Sequence, residues 1–170
     1  MSEYTHIVHE FEPVFDGNSR VLILGSLPSV KSREQGFYYG HPQNRFWRVT
    51  AAVFGEPVPN TIAEKRAMLL RCGVAVWDVI AECDIIGSSD ASIKNALPAD
   101  LSRILGHAPI EAIFANGGTA ARLYKKHQQP LTGREIVTLP STSPANAAWS
   151  LEKLTKAWAI INKNKKSASP

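Results

Sequence analysis

Between Gly36 and Trp47 the chain gathers Phe37, Tyr38, Tyr39, His41, Asn44, Arg45, Phe46 and Trp47, with Gly40 and Pro42 among them. Flat aromatic faces of this kind stack on planar ligands, a nucleic-acid base being the obvious one. Elsewhere Asp78 ends an apolar run, Asn116 stands before Gly117-Gly118, and Ser26, Ser29, Ser141, Thr142 and Ser143 fall in short polar stretches. A buried carboxylate is costly unless it is paired or used. Amides read base edges, and loop hydroxyls with nearby backbone N–H groups hold phosphates. Together these groups are the equipment for holding an extruded nucleotide. Each also has a plainer use. Asn44 can be a helix N-cap, Phe46 and Trp47 can be core residues at a helix start, and Asn116 can shape a turn.

The elements that must position these groups follow from the hydrophobic pattern. Residues 20–24 read as a buried strand that ends in Gly25-Ser26, and the long stretch 25–42 reads as a functional loop. A helix is expected over 44–54, stopped by Gly55, and a second one opens at the capping-box pattern Thr61-Ile62-Ala63-Glu64 and closes at Cys72-Gly73. Residues 74–80, apolar on both faces apart from Asp78, read as a central strand. Residues 83–95 read as irregular, 98–105 as a short helix, 110–115 as a strand, 119–127 as a helix and 134–139 as the fourth strand. A final amphipathic helix over 150–162 carries Leu151, Leu154, Trp158 and Ile161 on one stripe. Phe11, Val14 and Phe15 anchor the N-terminal segment. This alternation predicts an α/β fold, a three-layer sandwich around a four-stranded, mostly parallel sheet. All four strand ends lead into small polar residues, and in a parallel sheet those ends lie on one side and converge on one pocket.

At 170 residues the chain fits a single domain, with a core over about 20–162 and a polar tail over 163–170. Hydrophobic residues at 44% and charged residues at 20% are those of an ordinary globular protein, and no segment is apolar for long enough to span a bilayer. The N-terminus shows no secretory pattern, and two cysteines, Cys72 and Cys83, make neither a disulfide framework nor a zinc site. A reduced, cytoplasmic protein is expected. A monomer is the default, because no large apolar helix face is left over. The net charge of +4 and a pI near 9.2 permit a polyanionic partner. Lys163, Lys165 and Lys166 in the tail count for little, whereas Arg20, Lys31, Arg33, Arg45 and Arg48 lie near the loops.

Four motifs taken in order, Gly25-Ser26-Leu27-Pro28-Ser29, Gly40-His41-Pro42-Gln43-Asn44-Arg45-Phe46-Trp47, Arg71-Cys72-Gly73-Val74 and Pro140-Ser141-Thr142-Ser143-Pro144-Ala145-Asn146, resemble the uracil-DNA glycosylase superfamily. They are most similar to its hypoxanthine-DNA glycosylase branch, which is related to the mismatch-specific uracil/thymine glycosylases. The resemblance implies hydrolysis of the N-glycosidic bond of a deaminated or mismatched base in double-stranded DNA, with no metal or cofactor. It departs from the superfamily at Leu27, which stands where an Asp or Asn positions water. In the hypoxanthine branch that catalytic role passes to Asn44, holding a water below the sugar carbon. Tyr39 matches the aromatic that stacks on the base, and Gly25, Ser26 and Leu27 line the same pocket. Asp78 stands where a base-reading Asn is usual and can accept the N1–H of hypoxanthine. Phe46 and Asn116 complete the base-binding set. Ser29, Lys31, Ser141, Ser143, Ala145 and Asn146 are the expected contacts to phosphates and duplex. Ala145 takes the place of an intercalating Leu, and the His or Asn that assists an anionic leaving base is missing from Ser141-Thr142-Ser143. Two other readings stand beside this one: a uracil/thymine mismatch glycosylase, which Leu27 opposes, and a sensor that binds damaged DNA without turnover. A serine hydrolase would need a Gly-x-Ser-x-Gly elbow, which the sequence lacks.

Overall fold

A computed structural model describes residues 3–9, 11–27, 29–87 and 89–162, with the side chains of Val30, Lys31 and Asp90 outside the described part. The expected tail over 163–170 lies outside the described residues.

Four parallel strands make the central sheet in the order β3-β2-β6-β7: β2 (Val21–Gly25), β3 (Val74–Asp78), β6 (Ala112–Asn116) and β7 (Val137–Leu139). Every residue of β2 and β3 is buried, as continuous apolar runs in a covered parallel sheet require. The chain leaves β2 toward β3 on one side and returns as β6 on the other, so the strand order reverses beside β2. Crevices at such reversals, beyond the carboxyl ends of the strands, are where α/β sheets bind ligands.

Helices flank this sheet: α1 (Val30–Gln35), α2 (Phe46–Phe54), α3 (Ile62–Cys72), α4 (Ser102–Leu105), α5 (Gly118–His127), α6 (Gln129–Thr132) and α7 (Leu151–Trp158). The capping box at the start of α3 is formed in both directions, Glu64 N–H donating to Thr61 Oγ1 and Thr61 N–H donating to Glu64 Oε1. Leu154, Trp158 and Ile161 bury their side chains completely, whereas Leu151 at the N-terminal end of α7 is exposed. Cys72 and Cys83 are buried and form no disulfide among the described residues. No helix among the described residues is long and apolar enough to cross a membrane.

Three expectations are corrected. The stretch 25–42 is not all loop, because Ser29 caps the short helix α1. The strand carrying Asp78 lies at the sheet edge, not the centre. It is buried all the same, since Val14 and Val76 exchange two backbone hydrogen bonds across that edge. Residues 83–95 are not irregular throughout: β4 (Ile80–Ile85) and β5 (Lys94–Pro98) join β1 (Thr5–Val8) in an antiparallel sheet of order β1-β4-β5. Val79 N–H donates to Gly25 O and Ile80 N–H to Ser26 O, which ties the start of β4 to the end of β2.

Candidate active site

The carboxyl ends of β2, β3 and β6 and the loop after β7 enclose a cavity of about 210 Å³. That is smaller than the roughly 300–1,000 Å³ of sites for drug-sized ligands, and it suits one flat heterocycle. Gly25, Ser26, Leu27, Ser29, Tyr39, Asn44, Asp78, Asn116, Ser141 and Ser143 all line it, so residues from five separate stretches meet at one place.

One wall is the ring of Tyr39, whose backbone takes the left-handed conformation (φ 52°) that non-glycine residues avoid. Trp47 holds it there, its indole N–H lying 3.3 Å from Tyr38 O and 3.2 Å from Tyr39 O. Phe46 stacks behind Tyr39 with ring centroids 4.1 Å apart and planes at 19°. Phe46 itself is fully buried and does not line the cavity, which corrects its assignment as a base contact: it is the underlay of Tyr39. Phe37 is likewise packed away, against Trp47, and Tyr38 is anchored by donating its hydroxyl to Glu12 O at 2.9 Å. Burial, reinforced by the Asp78 carboxylate, pushes both tyrosine phenols far above their ordinary range. Tyr39 therefore works as a neutral ring.

A second wall is Asp78. Its Oδ2 accepts from His9 Nε2 at 2.7 Å, and each side chain of the pair is only 4% exposed. Oδ1 receives no hydrogen bond among the described residues and lies over Gly25, its register partner in β2. A Cβ on Gly25 would overlap Oδ1 and come within 3.1 Å of the Tyr39 hydroxyl, so the carboxylate can reach the cavity only because residue 25 has no side chain. His9 was absent from the sequence-based set. It follows β1, whose partner strand read as irregular, and no local signal ties it to a carboxylate 69 residues away.

Asn44 forms the third wall through a chain of hydrogen bonds. Phe46 N–H donates to Asn44 Oδ1 (2.9 Å), the Thr142 hydroxyl donates to the same oxygen (2.8 Å), and Asn116 Nδ2 donates to Thr142 Oγ1 (3.0 Å). The plainer reading of Asn44 as the helix N-cap is corrected: Arg45 holds that position, and the Asn44 side chain, one residue further back, accepts from the first helical N–H. Thr142 is fully buried and was seen in the sequence only as one member of a hydroxyl-rich loop. The neighbouring Arg45 is not a free cation for a partner. Its guanidinium donates to Ser143 O (3.0 Å), Asn146 O (3.1 Å) and Trp149 O, and its backbone N–H to Thr142 O (3.0 Å). One arginine thereby fastens the loop after β7 to the start of α2.

The expected phosphate contacts are built into turns. Ser29 Oγ accepts from Ser32 N–H, Ser141 Oγ from Ser143 N–H (3.1 Å) and Ser143 Oγ from Ala145 N–H (3.2 Å). The backbone N–H groups of Ser143 and Ala145 are therefore already used inside the turn and are not offered to a phosphate. Ser141, Ser143, Ala145 and Asn146 also line an adjoining open groove of about 600 Å³ with Gly118 and Trp149. Asn146 is braced by donating Nδ2–H to Ser141 O at 3.0 Å, and Ala145 is exposed. The side chain of Lys31 lies outside the described residues.

Comparison with known proteins agrees with this geometry. The model of the uracil DNA glycosylase superfamily matches residues 12–163. A hypoxanthine DNA glycosylase of Methanosarcina acetivorans is 34% identical over 152 residues, 89% of this chain and 96% of that protein. One of Methanosarcina barkeri is 33% identical over 150 residues, covering 88% and 94%. The solution NMR structure of a Methanosarcina acetivorans protein, provisionally described as a uracil DNA glycosylase, superposes with a TM-score of 0.77 at 32% identity, over 91% of this chain and 96% of the other. The chain belongs to the uracil DNA glycosylase superfamily.

Proposed function

We propose that this chain excises hypoxanthine from deoxyinosine in duplex DNA, leaving an abasic site. Membership of the superfamily makes it a base-excision glycosylase with DNA as substrate, and relatives of similar length that carry the name hypoxanthine DNA glycosylase support the choice of base. The observation that carries the reading is the Asp78 carboxylate at the cavity wall, with one oxygen held by His9 and the other open. A carboxylate accepts hydrogen bonds and donates none. It suits the N1–H edge of hypoxanthine, a donor that the open oxygen can accept.

In this reading the deoxyinosine is extruded at a cost of a few kcal/mol, smaller where it is mispaired. The base stacks on Tyr39 while Asp78 and backbone groups near Ser26 and Leu27 read its edge. The C1′–N9 bond breaks, its electron pair passing to the base. A water oxygen then bonds to C1′, and one of the water protons ends on the base nitrogen. Among the described residues Asp78 is the one carboxylate that lines the cavity, and its open oxygen is taken up by the base, which fits a dissociative reaction in which water arrives late, with phosphates steadying the cationic sugar. Asn44 acts at the reacting centre through its amide. Ser141, Ser143 and Asn146 contact the duplex beside the cavity, and the protein works as a cytoplasmic monomer without a cofactor.

The test is alkali-developed cleavage of labelled duplexes carrying deoxyinosine, deoxyuridine or thymine opposite each base, with wild type and Asn44→Ala. Cleavage at deoxyinosine that the substitution abolishes is expected. Uracil cleavage that survives the substitution would move the chain to the mismatch enzymes, and binding without cleavage would make it a sensor.

A further inference from the structure

The amide of Asn44 cannot choose which end it shows the substrate. The two hydrogen-bond chains that reach it start at backbone N–H groups, which can only donate. Phe46 N–H fixes which atom of the Asn44 amide is the oxygen. At the other end Thr142 N–H donates to Asn116 Oδ1 at 3.0 Å, which turns Asn116 Nδ2 toward Thr142 Oγ1. Thr142 Oγ1 must then accept from Asn116, and its single proton goes to Asn44 Oδ1. Both lone pairs of that oxygen are occupied. What Asn44 keeps at the cavity is Nδ2, which has no partner among the described residues, and Nδ2 only donates.

A donor has little to offer an attacking water, whose proton needs an acceptor. It has much to offer a departing purine, whose ring nitrogens and carbonyl oxygen gain negative charge as the C1′–N9 pair moves onto the base. We propose that Thr142 is a positioning residue, which locks Asn44 so that its Nδ2–H donates to an acceptor atom of the leaving base. This supplies help to the leaving group that the Ser141-Thr142-Ser143 loop otherwise lacks. The inference rests on the reading of the chain as a glycosylase that excises hypoxanthine.

Single-turnover excision from a deoxyinosine duplex, with melting temperature and duplex affinity recorded for each protein, tests it in wild type, Thr142→Ser, Thr142→Val and Asn44→Asp. Thr142→Ser keeps the hydroxyl and holds a rate close to that of wild type. Thr142→Val, equal in shape, lowers the rate about 10- to 100-fold with duplex affinity little changed. Asn44→Asp, which replaces the donor by a second acceptor, is as inactive as Asn44→Ala. An Asn44→Asp enzyme at the wild-type rate overturns the inference alone, because a carboxylate serves a water and not a leaving anion. So does a Thr142→Val enzyme whose rate holds or rises, since that change frees a lone pair on Oδ1 for water. If Thr142→Val melts too low to assay, Asn44→Asp still decides. A wild type that leaves deoxyinosine uncut overturns the functional reading and this inference with it.

Discussion

Replacing His9 by Leu would remove the described partner of a carboxylate that is almost wholly withdrawn from solvent. Both side chains of the His9–Asp78 pair are 4% exposed, and the bond between them is 2.7 Å long. A hydrogen bond to a buried carboxylate contributes about 1.5–3 kcal/mol, and removing its donor leaves that oxygen unsatisfied. For a chain of 170 residues each kcal/mol moves the melting temperature by about 2–4 °C, so His9→Leu should melt about 3–12 °C below wild type. A branched Leu cannot reproduce the ring contacts that His9 makes with Phe11 and Tyr38, and their loss adds to the fall. The double variant His9→Leu/Asp78→Asn separates the two effects. It removes the stranded charge and should recover a large share of the loss, leaving the packing deficit. Circular dichroism melts at neutral pH measure all three differences. A single variant that melts within about 2 °C of wild type would refute the reasoning, because it would mean that Asp78 is adequately solvated or paired without His9.

Two further outcomes follow from the same geometry. Gly25→Ala forces Asp78 and the Tyr39 ring aside, at an overpacking cost of about 1–3 kcal/mol. A displacement near 1 Å lowers rates about 100-fold, so single-turnover excision of hypoxanthine should fall steeply in a protein that still folds; an unchanged rate would show that Asp78 does not read the base. On the second sheet, His6 Nδ1 lies 2.9 Å from Asp84 Oδ1. The hydrogen bond to Asp84 raises the His6 pKa above its ordinary 6.5, and bonds from Asn95 and then His6 lower that of Asp84 below 3.8. The His6 contribution is full below its unfolded pKa and fades as pH rises through the raised one. That of Asp84 is present above its unfolded pKa and fades as pH falls through the lowered one. Melting curves of wild type and His6→Gln should therefore differ most at about pH 4–6 and converge near pH 8; a gap that widens toward pH 8 would contradict the sign.

The central sheet was legible because its strands are apolar runs that end in small polar residues, and covered parallel strands have no other pattern to show. The β1-β4-β5 sheet was not. Glu82, Asp84, Lys94 and Asn95 stand within β4 and β5, and such partly wet antiparallel strands read locally as polar connection. The site divides in the same way. Tyr39, Asn44, Asp78 and Asn116 could be picked out by residue type at element ends. The roles of His9, Thr142 and Arg45 depend on partners far along the chain. A sequence does not say whether a guanidinium meets a phosphate or three carbonyls of its own fold, and here it meets the carbonyls.

The stacking of Tyr39 on Phe46 bears on how this site can evolve. Phe46 also packs edge-on against Trp47 at 4.8 Å and Trp158 at 5.8 Å, so the surface under the base is continuous with the hydrophobic core. Any change of specificity made from beneath would open a cavity in that core, and truncating a buried Phe or Trp costs about 3–5 kcal/mol, a large part of what a domain of this size has. The rim at Ser26, Ser141 and Ser143 carries no such burden, being loop rather than core. New base preferences in related chains should therefore arise by substitution around the mouth, with the aromatic floor inherited unchanged.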